Sequence, residues 1–320
     1  MIPDGGAAPA DPFAPLTTMM LPVGDGHRLH VETIGDPDRR AAVFLHGGPG
    51  SGCQPSHRRL FDPARHHAVL FDQRGAGRST PAGSRHANTT AHQLADMEAI
   101  RRALGIDRWL VVGGSWGATL ALAYAERYPQ HTSGLVLRAT FLGTRAELDR
   151  AFGETMRAIY PELHDDFLGV LPRSERADPL PNYWRRILDP DPLVHRPAAI
   201  AWHDAERILS VARPAATRLD PAALRAAAGP LPSTPFMEAH YFSHDCFLAP
   251  GQLLAGADAL AGIPGVIVSG RLDYLCPPDR ARALAMVWPD ADVQIIEGAG
   301  HALSEPAIGR AVEAAIAGFA

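Results

Sequence analysis

Short apolar runs rich in Val, Ile and Leu recur along this chain with helical patterns between them, and that alternation restricts the fold more than any other feature. Residues 28–34 alternate like a strand. AAVFL at 41–45, AVLF at 68–71, WLVV at 109–112, LVL at 135–137, VIV at 266–268 and VQII at 293–296 are runs bounded by Gly, Pro, Asp or His. Runs buried on both faces are what a parallel sheet requires. Residues 90–104, 118–128, 279–287 and 305–319 carry helical apolar spacing. The pattern predicts an α/β fold with a mostly parallel, doubly wound sheet.

The alternation stops after Leu137 and resumes at Val266. The stretch between is too long for a loop and reads as helices and Pro-rich turns. It predicts a mainly helical cap, residues 140–260, inserted between two strands of one catalytic domain made of residues 17–139 and 261–320. Such an insertion would sit over the carboxyl edge of the sheet, where α/β folds bind ligands. Residues 1–16 are small and Pro-rich and read as a flexible lead-in.

Composition removes several classes. All 30 basic residues are Arg. A lysine-free chain has no lysine Schiff base, Walker A lysine or Ser–Lys dyad. The net charge of −5 gives no footprint for nucleic acid or an anionic membrane. Cys53, Cys246 and Cys276 are far apart and in no metal-ligand spacing, so neither a disulfide framework nor a metal is expected. No secretory leader and no 18-residue apolar run is readable, which makes the cytoplasm the expected compartment.

Chemistry concentrates at Gly113-Gly114-Ser115-Trp116-Gly117, between an apolar run and a helical one. This is G-x-S-x-G in the strand–turn–helix setting of a nucleophile elbow. The serine occupies a strained turn, so the residues two before and two after it must be small. The N–H of Trp116 starts the next helix and is a candidate oxyanion donor. His46-Gly47-Gly48-Pro49-Gly50 follows another run and resembles the loop that supplies the second donor. Pro49 has no N–H, which leaves Gly48 as first choice and Gly47 as second. Asp273 lies just past the run at 266–268 and His301 just past the run at 293–296, so both arrive at the edge that carries Ser115. Ser, then acid, then His is the chain order of the α/β-hydrolase triad. Asp292 and Glu297 are competing acids, less well placed than Asp273. His66, His67, His86 and His92 read as solvated surface. The segment Asp72–Ser79 reads as a structural loop with its charges paired to neighbours.

HGGPG, DQRGAGRS at 72–79 and GGSWG together resemble the proline iminopeptidases, α/β-hydrolase exopeptidases that release an N-terminal proline. The likeness continues through LVLRATFL at 135–142, GRLDYLCP at 270–277 and GAGHA at 298–302. It implies an α/β-hydrolase fold, no cofactor, and small peptide substrates with a free N-terminus. It also implies that two cap glutamates hold the substrate's α-amino group. The matching positions are Glu206, in WHDAE at 202–206, and Glu238, in MEAHYF at 237–242. Phe141, Phe242 and Cys276 match pocket positions. Ala205 stands where the family usually has a second Trp, and the expectation is a wider cavity beside Glu206. An esterase or amidase on the same core, with the glutamates unused, is the alternative reading.

Overall fold

The computed structural model describes residues 11–319. The first ten residues of the expected lead-in lie outside the described residues; residues 11–16 form turns and bends. Eight strands follow: β1 (Thr17–Gly24), β2 (His27–Gly35), β3 (Arg40–Leu45), β4 (His66–Phe71), β5 (Trp109–Ser115), β6 (Thr132–Thr140), β7 (Gly265–Gly270) and β8 (Ala291–Ile296). They form one sheet in the order β1-β2-β4-β3-β5-β6-β7-β8. From β4 to β8 every pairing is parallel, with Val43 beside Val69 and Val111, and Leu135 beside Val111. β1 and β2 are antiparallel additions at one edge.

Successive residues of a strand face opposite sides, and both sides here are apolar. Val43, Val111 and Leu135 join one core cluster, while Phe44, Val112 and Val136 join the other. Helices α1 (Thr90–Ala103) and α2 (Trp116–Arg127) come between strands as the spacing predicts. Ten of α2's twelve residues, from Trp116 to Ala125, are buried. His66 and His67 are not solvated: both are buried in β4, an interior strand with no exposed face.

Between β6 and β7 the described chain forms no strand. Its helices include α3 (Arg145–Asp149), α4 (Met156–Ile159), α5 (Pro161–Val170), α6 (Pro179–Ile187), α7 (Pro192–Leu209), α8 (Pro221–Leu224), α9 (Thr234–Phe242) and α10 (Gln252–Ala255). Those from α3 to α9 share a third apolar cluster built around Phe152, Phe167, Tyr183 and Trp202, while Leu253 of α10 packs into the first. Trp116 and Phe141 reach into it from the sheet edge. The fold closes with α11 (Pro278–Val287) and α12 (Pro306–Ala317). No helix among the described residues is long and apolar enough to cross a membrane.

Candidate active site

Ser115 is the last residue of β5 and sits at φ 58°, ψ −123°, a backbone shape that L residues seldom adopt. The turn is crowded on both sides. A Cβ at Gly113 would lie 2.1 Å from the Gly117 carbonyl oxygen, and one at Gly117 would lie 2.2 Å from the Leu45 carbonyl oxygen. Both positions therefore exclude any side chain, the physical basis of the motif.

Asp273 follows β7 and is buried. Its Oδ1 accepts from the N–H groups of Leu275 (3.0 Å) and Cys276 (2.7 Å), and His301 Nδ1 lies 2.9 Å from Oδ2. An ionised carboxylate only accepts, so Nδ1 carries the proton and Nε2 is left as a base. The competing acids face elsewhere. Glu297 pairs with Arg271 at the surface (2.7 Å), and exposed Asp292 accepts from Gln294 (3.0 Å).

Ser115 and His301 line one cavity of ≈ 330 Å³ together with Gly47, Gly48, Glu206 and Glu238. A narrower extension of ≈ 30 Å³ begins at Ser115, Gly48 and Glu206 and is walled by Phe141, Phe242 and Cys276. Phe141 and Phe242 meet edge to face at 5.8 Å. Burial pushes the Cys276 thiol well above its usual range, which leaves it a wall rather than a nucleophile. Sequence reasoning missed Leu148, Ala151 and Phe152 in the same wall. Their only signal was the helical spacing of the insertion.

Glu238, on α9, is buried. Trp202 Nε1 donates to its Oε2 at 2.6 Å, and its Oε1 has no hydrogen-bond partner among the described residues. Glu206 reaches the cavity from α7. Burial raises both carboxyls above the usual carboxylate range, and the charge of Glu206 raises Glu238 further. Two desolvated carboxyls side by side cannot both be charged cheaply unless a cation joins them.

Ala205 departs from expectation. It is completely buried in the core of the insertion and lies outside the lining of both cavities. Successive helix residues point about 100° apart, so the turn that aims Glu206 at the cavity aims Ala205 away from it.

Three supporting residues went unassigned at the sequence level. Gln73 donates to the His46 carbonyl (2.9 Å) and accepts from Trp116 Nε1 (2.9 Å), which ties the HGGPG loop to the elbow. The Gln73 N–H donates to His46 Nε2 (3.0 Å), so His46 Nδ1 holds the proton and gives it to the Gly47 carbonyl (2.9 Å). Arg138, on β6, lays its guanidinium over Gly114 and donates to the His301 carbonyl. The charges of the 72–79 loop are paired as expected: Asp72 with Arg78 (2.8 Å) and Arg74 with Asp96 (2.7 Å).

Residues 43–307 match the family model described as alpha/beta hydrolase fold. A proline iminopeptidase of Xylella fastidiosa is 43% identical over 290 residues, covering 90% of this chain and 91% of that one. One from Arabidopsis thaliana is 40% identical over 301 residues, covering 93% of this chain and 78% of that one. The chain belongs to the proline iminopeptidase family of α/β hydrolases. The crystal structure of a proline iminopeptidase from Mycobacterium smegmatis has the same fold, with a TM-score of 0.64 over 95% of this chain and 98% of that one, at 22% identity. In this proline iminopeptidase family member the two glutamates come from the insertion, while Ser115, Asp273 and His301 come from the ends of sheet strands. The cavity lies where the two meet.

Proposed function

We propose that this chain is a cytoplasmic serine aminopeptidase that releases an N-terminal residue, preferentially proline, from small peptides. The observation that carries the reading is the pair of desolvated carboxyls, Glu206 and Glu238, on the cavity that also holds Ser115 and His301. A peptide N-terminus brings the cation such a pair lacks, and an internal peptide bond brings none. The unpartnered Glu238 Oε1 offers an acceptor to it. Insertion 140–260 acts as the cap that sets this register. The extension walled by Phe141, Phe242 and Cys276 takes the pyrrolidine ring.

In the reaction, His301 Nε2 takes the proton of Ser115 Oγ as the oxygen attacks the carbonyl of the first residue. Asp273 fixes the imidazole tautomer and stabilises the imidazolium. The N–H groups of Trp116 and Gly48 stabilise the oxyanion. His301 then protonates the leaving amine, and water hydrolyses the acyl-enzyme by the reverse proton path.

Glu238→Gln tests the substrate class. It removes charge at nearly constant volume. It should lower kcat/KM for proline amides with a free amine by roughly 2–4 kcal/mol, the scale for breaking a buried charged contact. Hydrolysis of simple acyl esters should stay within a few-fold of wild type, and N-acetylated proline amides should be poor substrates of the wild type. Equal losses on both substrates, or good turnover of acetylated ones, would replace this reading by an esterase or amidase.

A further inference from the structure

Three hydrogen bonds fasten the loop that carries His301 to the chain at the end of the helix that carries Glu206. Ser210 directly follows α7, and its N–H donates to the Glu206 carbonyl at 2.9 Å. The Ser210 carbonyl in turn accepts from the N–H groups of His301 (2.9 Å) and Ala302 (2.8 Å). Two residues further on, the Ala212 N–H donates to Glu305 Oε1 at 2.8 Å. The other oxygen of that carboxylate, Oε2, accepts from the Gly300 N–H at 2.9 Å. Glu305 thus grips both the residue before His301 and a segment 93 positions away in sequence. The two strips of backbone lie so close that a Cβ at Gly300 would sit 2.7 Å from the Ala212 nitrogen.

Glu305 precedes α12, a position from which a side chain ordinarily caps the first turn of its own helix. It makes no such bond. Its Oε1 reaches across the seam to the insertion while its Oε2 holds the Gly300 N–H inside the His301 loop, so one charge-assisted acceptor keeps the two N–H groups in fixed relation.

We infer that Glu305 is a positioning residue that holds His301 in register with the helix from which Glu206 reads the substrate's ammonium. The inference rests on the aminopeptidase reading only for the role of Glu206. Its effect on His301 stands for any substrate that Ser115 attacks. A shift of the end of α7 is carried into the His301 loop instead of opening a gap between amine site and base. The bound amine, the scissile carbonyl and the base therefore keep one geometry, and misplacement of a catalytic group by about 1 Å is enough to cost about a hundredfold in rate.

The experiment compares wild type with Glu305→Ala and Glu305→Gln. It reads kcat and KM for a chromogenic proline amide and a simple acyl ester, melting temperature, and the downfield proton signal of the His301–Asp273 hydrogen bond. Glu305→Ala loses both acceptors. Its kcat should fall about ten- to a hundredfold on both substrates, KM for the amide should stay within about threefold, and the downfield signal should broaden. Glu305→Gln keeps one acceptor oxygen and should recover part of kcat. A folded Glu305→Ala with kcat within about twofold of wild type and an unchanged proton signal overturns the proposal, whatever happens to the melting temperature. If Glu305→Ala does not fold, Glu305→Gln decides alone. Failure of the aminopeptidase reading has a different signature: Glu206→Gln would then leave amide turnover unchanged, while the ester kcat of Glu305→Ala still reports on His301.

Discussion

At the scale of single residues, the elbow makes the sharpest demand. Ser115 is held at positive φ by neighbours that admit no side chain at Gly113 or Gly117. Ser115→Ala removes the hydroxyl and leaves that backbone unchanged. Amidase and esterase rates should fall together by several orders of magnitude, as for other triad nucleophiles, with a melting temperature close to wild type. Residual turnover within tenfold of wild type would remove Ser115 from the reaction. Ser115, Asp273 and His301 were legible because each follows an apolar run, and the ends of parallel strands gather at one edge. Arg138 was not. It lies in register with Gly114 only because β5 and β6 pair in parallel, and that pairing leaves no mark within either segment. Gln73 was hidden for a related reason: its partners are His46 and Trp116, on two other loops.

At the scale of elements, legibility followed the apolar runs. The strands buried on both faces were readable from their apolar runs alone. β1 was not read as a strand, because TTMMLPVG holds no run of Val, Ile or Leu, whereas β8, equally without a buried residue, was read from VQII. The insertion was readable as helical without its geometry, and the misreading of Ala205 came from there. Helix phase decides which residue of α7 meets the cavity, and that phase is set by Trp202, Ala205, Ile208 and Leu209 packing inward. Ala205→Trp therefore tests packing rather than specificity. A large ring at a completely buried position should cost about 1–3 kcal/mol or more, lowering the melting temperature by roughly 2–4 °C per kcal/mol. The ratio of proline to alanine amide turnover should change little in the folded fraction. A sharpened proline preference with unchanged stability would return Ala205 to the pocket wall.

For the whole molecule, buried titratable groups set the response to acid, and two sets oppose each other. Eight histidines, His30, His46, His57, His66, His67, His164, His203 and His240, are held below their usual pKa, all chiefly by burial, and His57 falls to about 4. Five carboxyls, Asp96, Glu126, Glu147, Glu206 and Glu238, are raised, again chiefly by burial, with Glu126 at about 7. The signs follow from proton counts. Below about pH 6.5 the unfolded chain protonates histidines that the fold keeps neutral, so stability falls as pH falls. The raised carboxyls act the other way, because the fold keeps protons that the unfolded chain releases above about pH 4.3. Glu98 and Glu175, lowered to about 2 mainly by arginine hydrogen bonds, contribute at full strength above the unfolded carboxylate pKa. They do not tilt the window between pH 5 and 7. Every lowered histidine has its unfolded pKa inside the window from pH 5 to 7, whereas a raised carboxyl counts there only if its folded pKa reaches the window, as that of Glu126 at about 7 does, so the melting temperature should drop from pH 7 to pH 5. His57→Gln should flatten that drop, since it removes the histidine whose pKa is lowered to about 4. Calorimetry at half-unit steps measures it. A flat or rising profile toward pH 5 would mean that the raised carboxyls, and not the lowered histidines, dominate the proton balance of folding.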